Sequence, residues 1–202
     1  MISLLLADDQ ALVRGALAAL LGLENDIDVV AQVGRGDEVV GAARASHPDV
    51  ALLDVEMPGM DGIAATVHLR AAMPTCRVLV VTTFGRPGYL RRAMEAGASG
   101  FVVKDTPARE LADAVRRVHA GLRVVDPALA AETLANGHSP LTSRETEVLQ
   151  AARAGGTVLD LARGLHLSEG TVRNYLSSAI GKTGARTRAE AVRLADDNGW
   201  LL

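Results

Sequence analysis

Cysteine occurs once in the 202 residues, at Cys76, which excludes an internal disulfide and a Cys-rich zinc site and makes a reducing, cytoplasmic setting the expectation. Aromatic residues are only 2% of the chain (Phe84, Phe101, Tyr89, Tyr175 and Trp200), too few for a platform that stacks single-stranded nucleic acid. The cores must therefore be built from Ala, Leu and Val. Lysine is equally scarce: Lys104 and Lys182 stand against 19 arginines, so neither is background. No apolar run approaches the roughly 20 residues of a membrane helix, since Leu4 to Leu6 leads straight into Asp8 and Asp9. Nothing near Met1 reads as a basic, apolar, cleavable leader, and no membrane insertion is expected. What remains is 49% hydrophobic and 22% charged, the balance of a globular protein, with a length that admits one large domain or two small ones.

Two periods divide the chain. Residues 1–121 alternate short apolar runs (Ile2 to Ala7, Val29 to Val33, Val50 to Leu53, Val78 to Val81, Phe101 to Val103) with helical patterns, the order of a parallel sheet with crossover helices. Leu12, Ala16, Ala19 and Leu20 mark the first helix, Val39, Ala42 and Ala43 the second, and Leu111, Ala114, Val115 and Val118 the fifth, with Thr106-Pro107 as its cap and first-turn proline. The first and fifth helices carry more apolar residues than one buried stripe needs, and Leu17 is a candidate for a partner-facing position. Residues 122–140 read as a linker, in which Asp126-Pro127 can start a short helix before the polar run Asn136 to Pro140.

From 141 to 202 the pattern is helical throughout. Thr142 and Glu145 form a capping box, Ala154-Gly155-Gly156 ends the first helix and Thr157 caps the second. The third helix buries Val172, Tyr175, Leu176, Ala179 and Ile180 and turns Arg173, Asn174 and Ser177 outward. Two helices joined by a tight turn, the second with a polar face, describe a helix-turn-helix. From Arg163 to Arg193 six basic residues face two acidic ones, a net +4, whereas residues 1–121 carry −3. Such a basic face on an acidic protein is the footprint of DNA phosphate contact, although a protein-binding module with solvated arginines has the same composition.

In an open parallel sheet, ligands bind beyond the carboxyl ends of the strands. Asp8, Asp9, Asp54, Thr82 and Lys104 all fall there. Three carboxylates together repel unless a hard cation such as Mg²⁺ sits among them, and a carboxylate nucleophile, a metal neutralising the phosphoryl oxygens, and a lysine and a hydroxyl as further donors can together perform phosphoryl transfer onto aspartate. Taken singly, each Asp could equally be a helix cap.

These residues also carry a resemblance. Asp8-Asp9, Leu52-Leu53-Asp54-Val-Glu-Met-Pro-Gly59, Thr82 after a Val run and Gly100-Phe-Val-Val-Lys104-Asp105 resemble the receiver domain of response regulators. The resemblance implies Asp54 as phosphoacceptor, and Asp8, Asp9, Asp54 and the Glu56 backbone carbonyl as Mg²⁺ ligands. It also implies a switch in which Thr82 follows the phosphoryl group and Phe101 reorients, with core packing as the plainer role of Phe101. Leu141-Thr-Ser-Arg-Glu-Thr-Glu-Val-Leu149, Leu167-Ser-Glu-Gly-Thr-Val-Arg-Asn-Tyr-Leu176 and Lys182-Thr-Gly-Ala-Arg-Thr-Arg-Ala-Glu-Ala191 resemble the LuxR-type DNA-binding domain of NarL/FixJ regulators. By that likeness Arg173, Asn174 and Ser177 face the groove, while Thr171, Lys182 and Thr187 touch phosphates. Ser177 stands where many members are basic, and Ala154 to Asp160 replace a more polar pattern, departures that bear on DNA affinity and sequence preference.

The implied architecture is a five-stranded α/β receiver of flavodoxin-like order followed by an all-α helix-turn-helix domain. The implied partners are a sensor histidine kinase, promoter DNA, a second copy of the chain after phosphorylation, and RNA polymerase. Thr82-Thr-Phe-Gly-Arg-Pro-Gly-Tyr89, Lys104-Asp-Thr-Pro107 and Gly199-Trp200 look most like the DesR branch, which implies a helix-one and helix-five dimer face, with the fourth-helix face as the alternative, and control of membrane-lipid genes. Two rivals remain. A haloacid-dehalogenase-like phosphatase also uses an aspartyl phosphate but needs an Asp where Glu56 stands, and leaves the helical half unexplained. An interaction protein with an unphosphorylated receiver would be expected to lack one of the acidic pair or the lysine, and neither is missing. Gly34-Arg-Gly36 reads as a turn, the five histidines lack ligand spacing, Cys76 is a small inert residue and Trp200 a packing anchor.

Overall fold

Val50–Asp54 (β3) is buried at every position, which only a strand covered on both faces can be, and it forms the middle of a parallel sheet ordered β2-β1-β3-β4-β5-β6. The other strands are β1 (Ile2–Ala7), β2 (Ile27–Val33), β4 (Arg77–Thr82), β5 (Gly100–Val103) and β6 (Val124–Val125). The helices between them are α1 (Ala11–Leu21), α2 (Val39–Ser46), α3 (Gly62–Ala72), α4 (Pro87–Glu95) and α5 (Ala108–His119). The computed structural model describes residues 1–83, 87–135 and 139–201. Phe84, Gly85 and Arg86 of the stretch that resembles the DesR branch, and Asn136, Gly137 and His138 of the expected linker, lie outside them.

The order β2-β1-β3-β4-β5 is the flavodoxin-like one, with its reversal between β1 and β3. The sheet has six strands rather than five. The added β6 pairs Val124 with Gly100 and Val125 with Phe101, inside the segment read as linker. Two residues are too short a run for period-two alternation to register, so the sequence pattern could not reveal it.

Helix α1 departs more sharply from expectation. The stripe of Leu12, Ala16, Ala19 and Leu20 is exposed, Leu12 at 86%. The opposite side is the one that meets the core, where Leu21 is buried and Leu17 and Ala18 pack against the cluster of Leu4, Leu6, Leu52, Val115 and Val118. The helix ALVRGALAALL is apolar almost all round, so periodicity does not choose a side. Leu17 is thus a core residue. Leu111, Ala114, Val115 and Val118 of α5 are all buried in the same cluster. The N-cap position of α5 is Pro107, with no side-chain cap from Thr106.

Contacts divide the chain into two compact units, Met1–Gly85 with Leu90–Ala130, and Arg86–Tyr89 with Ala131–Leu202. A short helix α6 (Pro127–Ala135) follows Asp126, whose carboxylate accepts from Leu129 N. The second unit holds α7 (Ser143–Arg153), α8 (Val158–Gly164), α9 (Glu169–Thr183) and α10 (Arg188–Asp197) around Val148, Leu149, Leu161, Val172, Leu176 and Ala191. Thr142 and Thr157 each complete a capping box, with Glu145 and Asp160.

Candidate functional site

Strand geometry brings the acidic residues together. β1 ends beside β3, so Asp8 and Asp9 follow the strand next to the one that ends in Asp54; Thr82 and Lys104 come from β4 and from just past β5. Carboxylate oxygens of Asp8, Asp9 and Asp54 lie within 4.8 Å of one another. Asp8 and Asp54 are buried and Asp9 is exposed, so the cluster has an open side. Gly62 makes the approach of α3 possible: a Cβ there would stand 1.8 Å from the Asp54 backbone oxygen, which no other residue tolerates.

Lys104 reaches into the cluster. Its Nζ donates to Asp54 Oδ2 at 2.8 Å and lies 2.7 Å from Asp8 Oδ2. Lys104 therefore bridges the two buried carboxylates, and Asp8 Oδ1 accepts from Gln10 N. Burial pushes the Asp54 carboxyl above the ordinary range against the pull of Lys104. Burial works the other way on Lys104, but the Asp54 and Asp8 carboxylates outweigh it and hold the ammonium above its usual pKa. Three carboxylates share one ammonium, so the cluster keeps a surplus of negative charge. That donor set fits a hard, oxygen-seeking divalent cation.

Thr82 is 1% exposed and Phe101 0%, both inside the sheet's packing; the Lys104 N–H donates to Thr82 O at 2.7 Å, locking β4 to the start of the lysine's loop. Glu56 is exposed and follows Asp54 by two residues.

In the helical unit, α9 turns Arg173, Asn174 and Ser177 to solvent as its buried stripe requires. Three more of the singled-out residues also work inside the fold. The Ser168 hydroxyl accepts from Thr171 N and shares a hydrogen bond with Thr171 Oγ1, and Thr187 caps α10 by accepting from Glu190 N. Lys182 Nζ donates to Glu145 Oε2 at 2.8 Å. Glu145 was legible as half of a capping box but not as a hub: only 3% exposed, it also accepts from Ser178 Oγ and Thr142 N. Burial opposes its charge, yet Lys182, Ser178 and Thr142 hold its carboxyl down at about 2. A residue spent on a cap is not searched for a second partner 37 positions away.

A parallel sheet with an acidic, lysine-bearing edge, followed by a helix-turn-helix unit, is the architecture of a receiver and a DNA-binding module in one chain. Family models agree: residues 4–116 match the response regulator receiver domain and residues 139–195 the bacterial regulatory proteins of the luxR family. The chain belongs to the LuxR-type two-component response regulators, proteins of transcriptional regulation. It is 42% identical over 201 residues to the uncharacterized transcriptional regulatory protein YvfU of Bacillus subtilis and 40% identical over 201 residues to the transcriptional regulatory protein DesR of the same organism, covering 100% of both chains in each case. Among solved structures it is similar to a LuxR-family response regulator from Aurantimonas sp., with a TM-score of 0.64 and 32% identity over 67% of this chain and 96% of that one. Among the described residues, no helix is long and apolar enough to cross a membrane.

Proposed function

We propose that Asp54 of this regulator is phosphorylated by a sensor histidine kinase and that the modification promotes dimerisation and sequence-specific binding to promoter DNA. The observation that carries this is the Asp8, Asp9, Asp54 and Lys104 constellation, three carboxylates sharing one ammonium. An Asp54 oxygen attacks the phosphorus of a phosphohistidine; the P–O bond forms as the P–N bond breaks, and that electron pair leaves with the imidazole. Asp8, Asp9, Asp54 and the Glu56 backbone carbonyl are the residues that would hold Mg²⁺, which when bound neutralises the phosphoryl oxygens. Lys104, already 2.8 Å from Asp54, moves its donation from the carboxylate to a phosphoryl oxygen, and the Thr82 hydroxyl turns to another. Phe101, fully buried and without a hydroxyl, repacks behind Thr82 rather than locking by a hydrogen bond. Apart from this one transfer onto itself and its reversal by hydrolysis, the protein turns over no substrate. The regulated genes, by likeness to DesR-type regulators, are those of membrane lipids, RNA polymerase is the further contact at the promoter, and the protein works in the cytoplasm.

The full chain incubated with acetyl phosphate should gain one phosphoryl group by intact mass only when Mg²⁺ is present, and Asp54→Asn should gain none. Labelling of that variant at the wild-type level removes Asp54 from its role. The domain limits proposed for this function are 1–121 for the receiver and 141–202 for DNA binding, joined through 122–140.

Dimerisation is assigned to the exposed side of α1, where Leu12 (86%) and Leu20 (46%) lie with Leu23 (78%) just beyond. Leu12→Asp should weaken the phosphorylated dimer about tenfold or more in sedimentation, leaving the urea midpoint unchanged. Leu17→Asp should instead lower the midpoint, because Leu17 packs on the core. An unaltered dimer in Leu12→Asp places the interface elsewhere.

A further inference from the structure

The exposed face of α9 carries an acid where a DNA-facing helix gains nothing from one. Glu169 opens the helix behind Ser168, and its Oε2 accepts from Arg173 Nη2 at 2.6 Å. Both side chains remain largely in solvent, Arg173 at 63% and Glu169 at 41% exposure. Two other cations of this unit are held by groups elsewhere in the fold: Lys182 by Glu145 and Arg188 by the Gly156 carbonyl. Arg173 is held by a carboxylate on its own helix, one turn toward the N-terminus, in the favourable Glu-before-Arg order.

We infer that Glu169 is a specificity-determining residue that acts through Arg173, aiming the arginine's guanidinium at guanine and penalising other bases. The inference rests on the reading of α9 as the helix that enters the major groove. In such a helix the N-terminal residues meet base edges, and the bond to Glu169 draws the guanidinium toward that end. Arg has five N–H donors, so one can stay on Glu169 while two others take guanine O6 and N7. A freely rotating arginine would find phosphates at any sequence. One held by Glu169 finds them less easily, and the carboxylate itself repels phosphates and base acceptors while accepting from the N4 amino group of cytosine. Gly170, next to Glu169 on the exposed face, adds no side chain there, and a Cβ at that position would meet only Ser168 Oγ, at 3.8 Å. A glycine in a helix is conformationally costly, and close approach of another molecule is one reason to keep it.

The test uses the full chain after acetyl phosphate treatment, a duplex selected from a randomised pool and a scrambled duplex of equal length. Glu169→Gln keeps the shape and removes the charge. It should bind the scrambled duplex more tightly and lower the selected-to-scrambled ratio about five- to tenfold, the range of a single mismatched pair. Repeated selection should show the loss concentrated at one base pair per half-site, the same one at which Arg173→Ala loses its preference. If Glu169→Gln strengthens binding to all duplexes equally and selects the same sequence as wild type, Glu169 is only a solvated charge and the inference fails. If Arg173→Ala also leaves the selected sequence unchanged, the failure belongs to the reading of α9 itself.

Discussion

Each half of the molecule spends one of the chain's two lysines on buried carboxylates, and the two arrangements close differently. In the helical unit one carboxylate, Glu145, receives the Thr142 N–H, the Ser178 hydroxyl and the Lys182 ammonium, so both of its oxygens are satisfied. In the receiver one ammonium, Lys104, serves both Asp8 and Asp54 with Asp9 beside them, so three carboxylates share a single cation. Buried charge is tolerated when it is paired and hydrogen-bonded, and costs stability when it is not. The closed network is therefore structural, and the open one carries a surplus of negative charge at a cost in stability, which the proposed cation and phosphoryl group would draw on.

Neutralising one acid in each network should have opposite effects. Glu145→Gln should destabilise the helical unit by about 2 kcal/mol, because it turns one of the two acceptor oxygens into a donor and removes the charge paired with Lys182. Asp8→Asn should stabilise the receiver by about 0.5–1 kcal/mol, by relieving repulsion among the three carboxylates while leaving Lys104 bonded to Asp54. Trp200, the only tryptophan, packs on the helical core and reports that unit, and hydrogen exchange in peptides spanning β3 reports the receiver. Acid should separate the units in the same sense. The Glu145 pKa, held at about 2 against an ordinary 4.5, contributes stability that is full above about pH 4.5 and is lost as pH falls toward 2. The raised Asp54 pKa acts with the opposite sign, since its ionised form is the costly one in the folded state, so protonation relieves the receiver. Destabilisation by Asp8→Asn, or a Trp200 transition indifferent to pH between 4.5 and 2, would break the comparison.

The receiver's switch edge was legible because its chemistry is local to strand ends: a polar residue directly after an apolar run needs no knowledge of packing to be placed. The same holds for the Arg173, Asn174 and Ser177 face, fixed once the stripe from Val172 to Ile180 is assigned inward. Choices between equivalent faces were not legible. The buried side of α1 depends on which of two apolar stripes fits the sheet, and Leu17 with Leu21 fits where Leu12 with Leu20 does not. Nor were pairs far apart in sequence, such as Lys182 with Glu145, because nothing local in either segment specifies the other. The strand β6 escaped for a third reason, being made by its partner rather than by its own two residues.

The smallest expected effect concerns Lys182, which belongs to the closed network and is also assigned to a DNA phosphate. Its side chain is 38% exposed and an ammonium has three donors, so the bond to Glu145 leaves two for a phosphate. Lys182→Ala should weaken binding to selected and scrambled duplexes by the same factor and reduce the slope of log affinity against log salt by about one. Glu145→Gln serves as the control, since it frees the ammonium without removing it: the slope should stay at the wild-type value even where the unit is less stable. If Lys182→Ala leaves the slope unchanged and its weaker binding follows the loss of stability seen at Trp200, Lys182 never leaves Glu145 for DNA. The lysine of the helical unit would then be wholly structural, and the contrast with Lys104 sharper still.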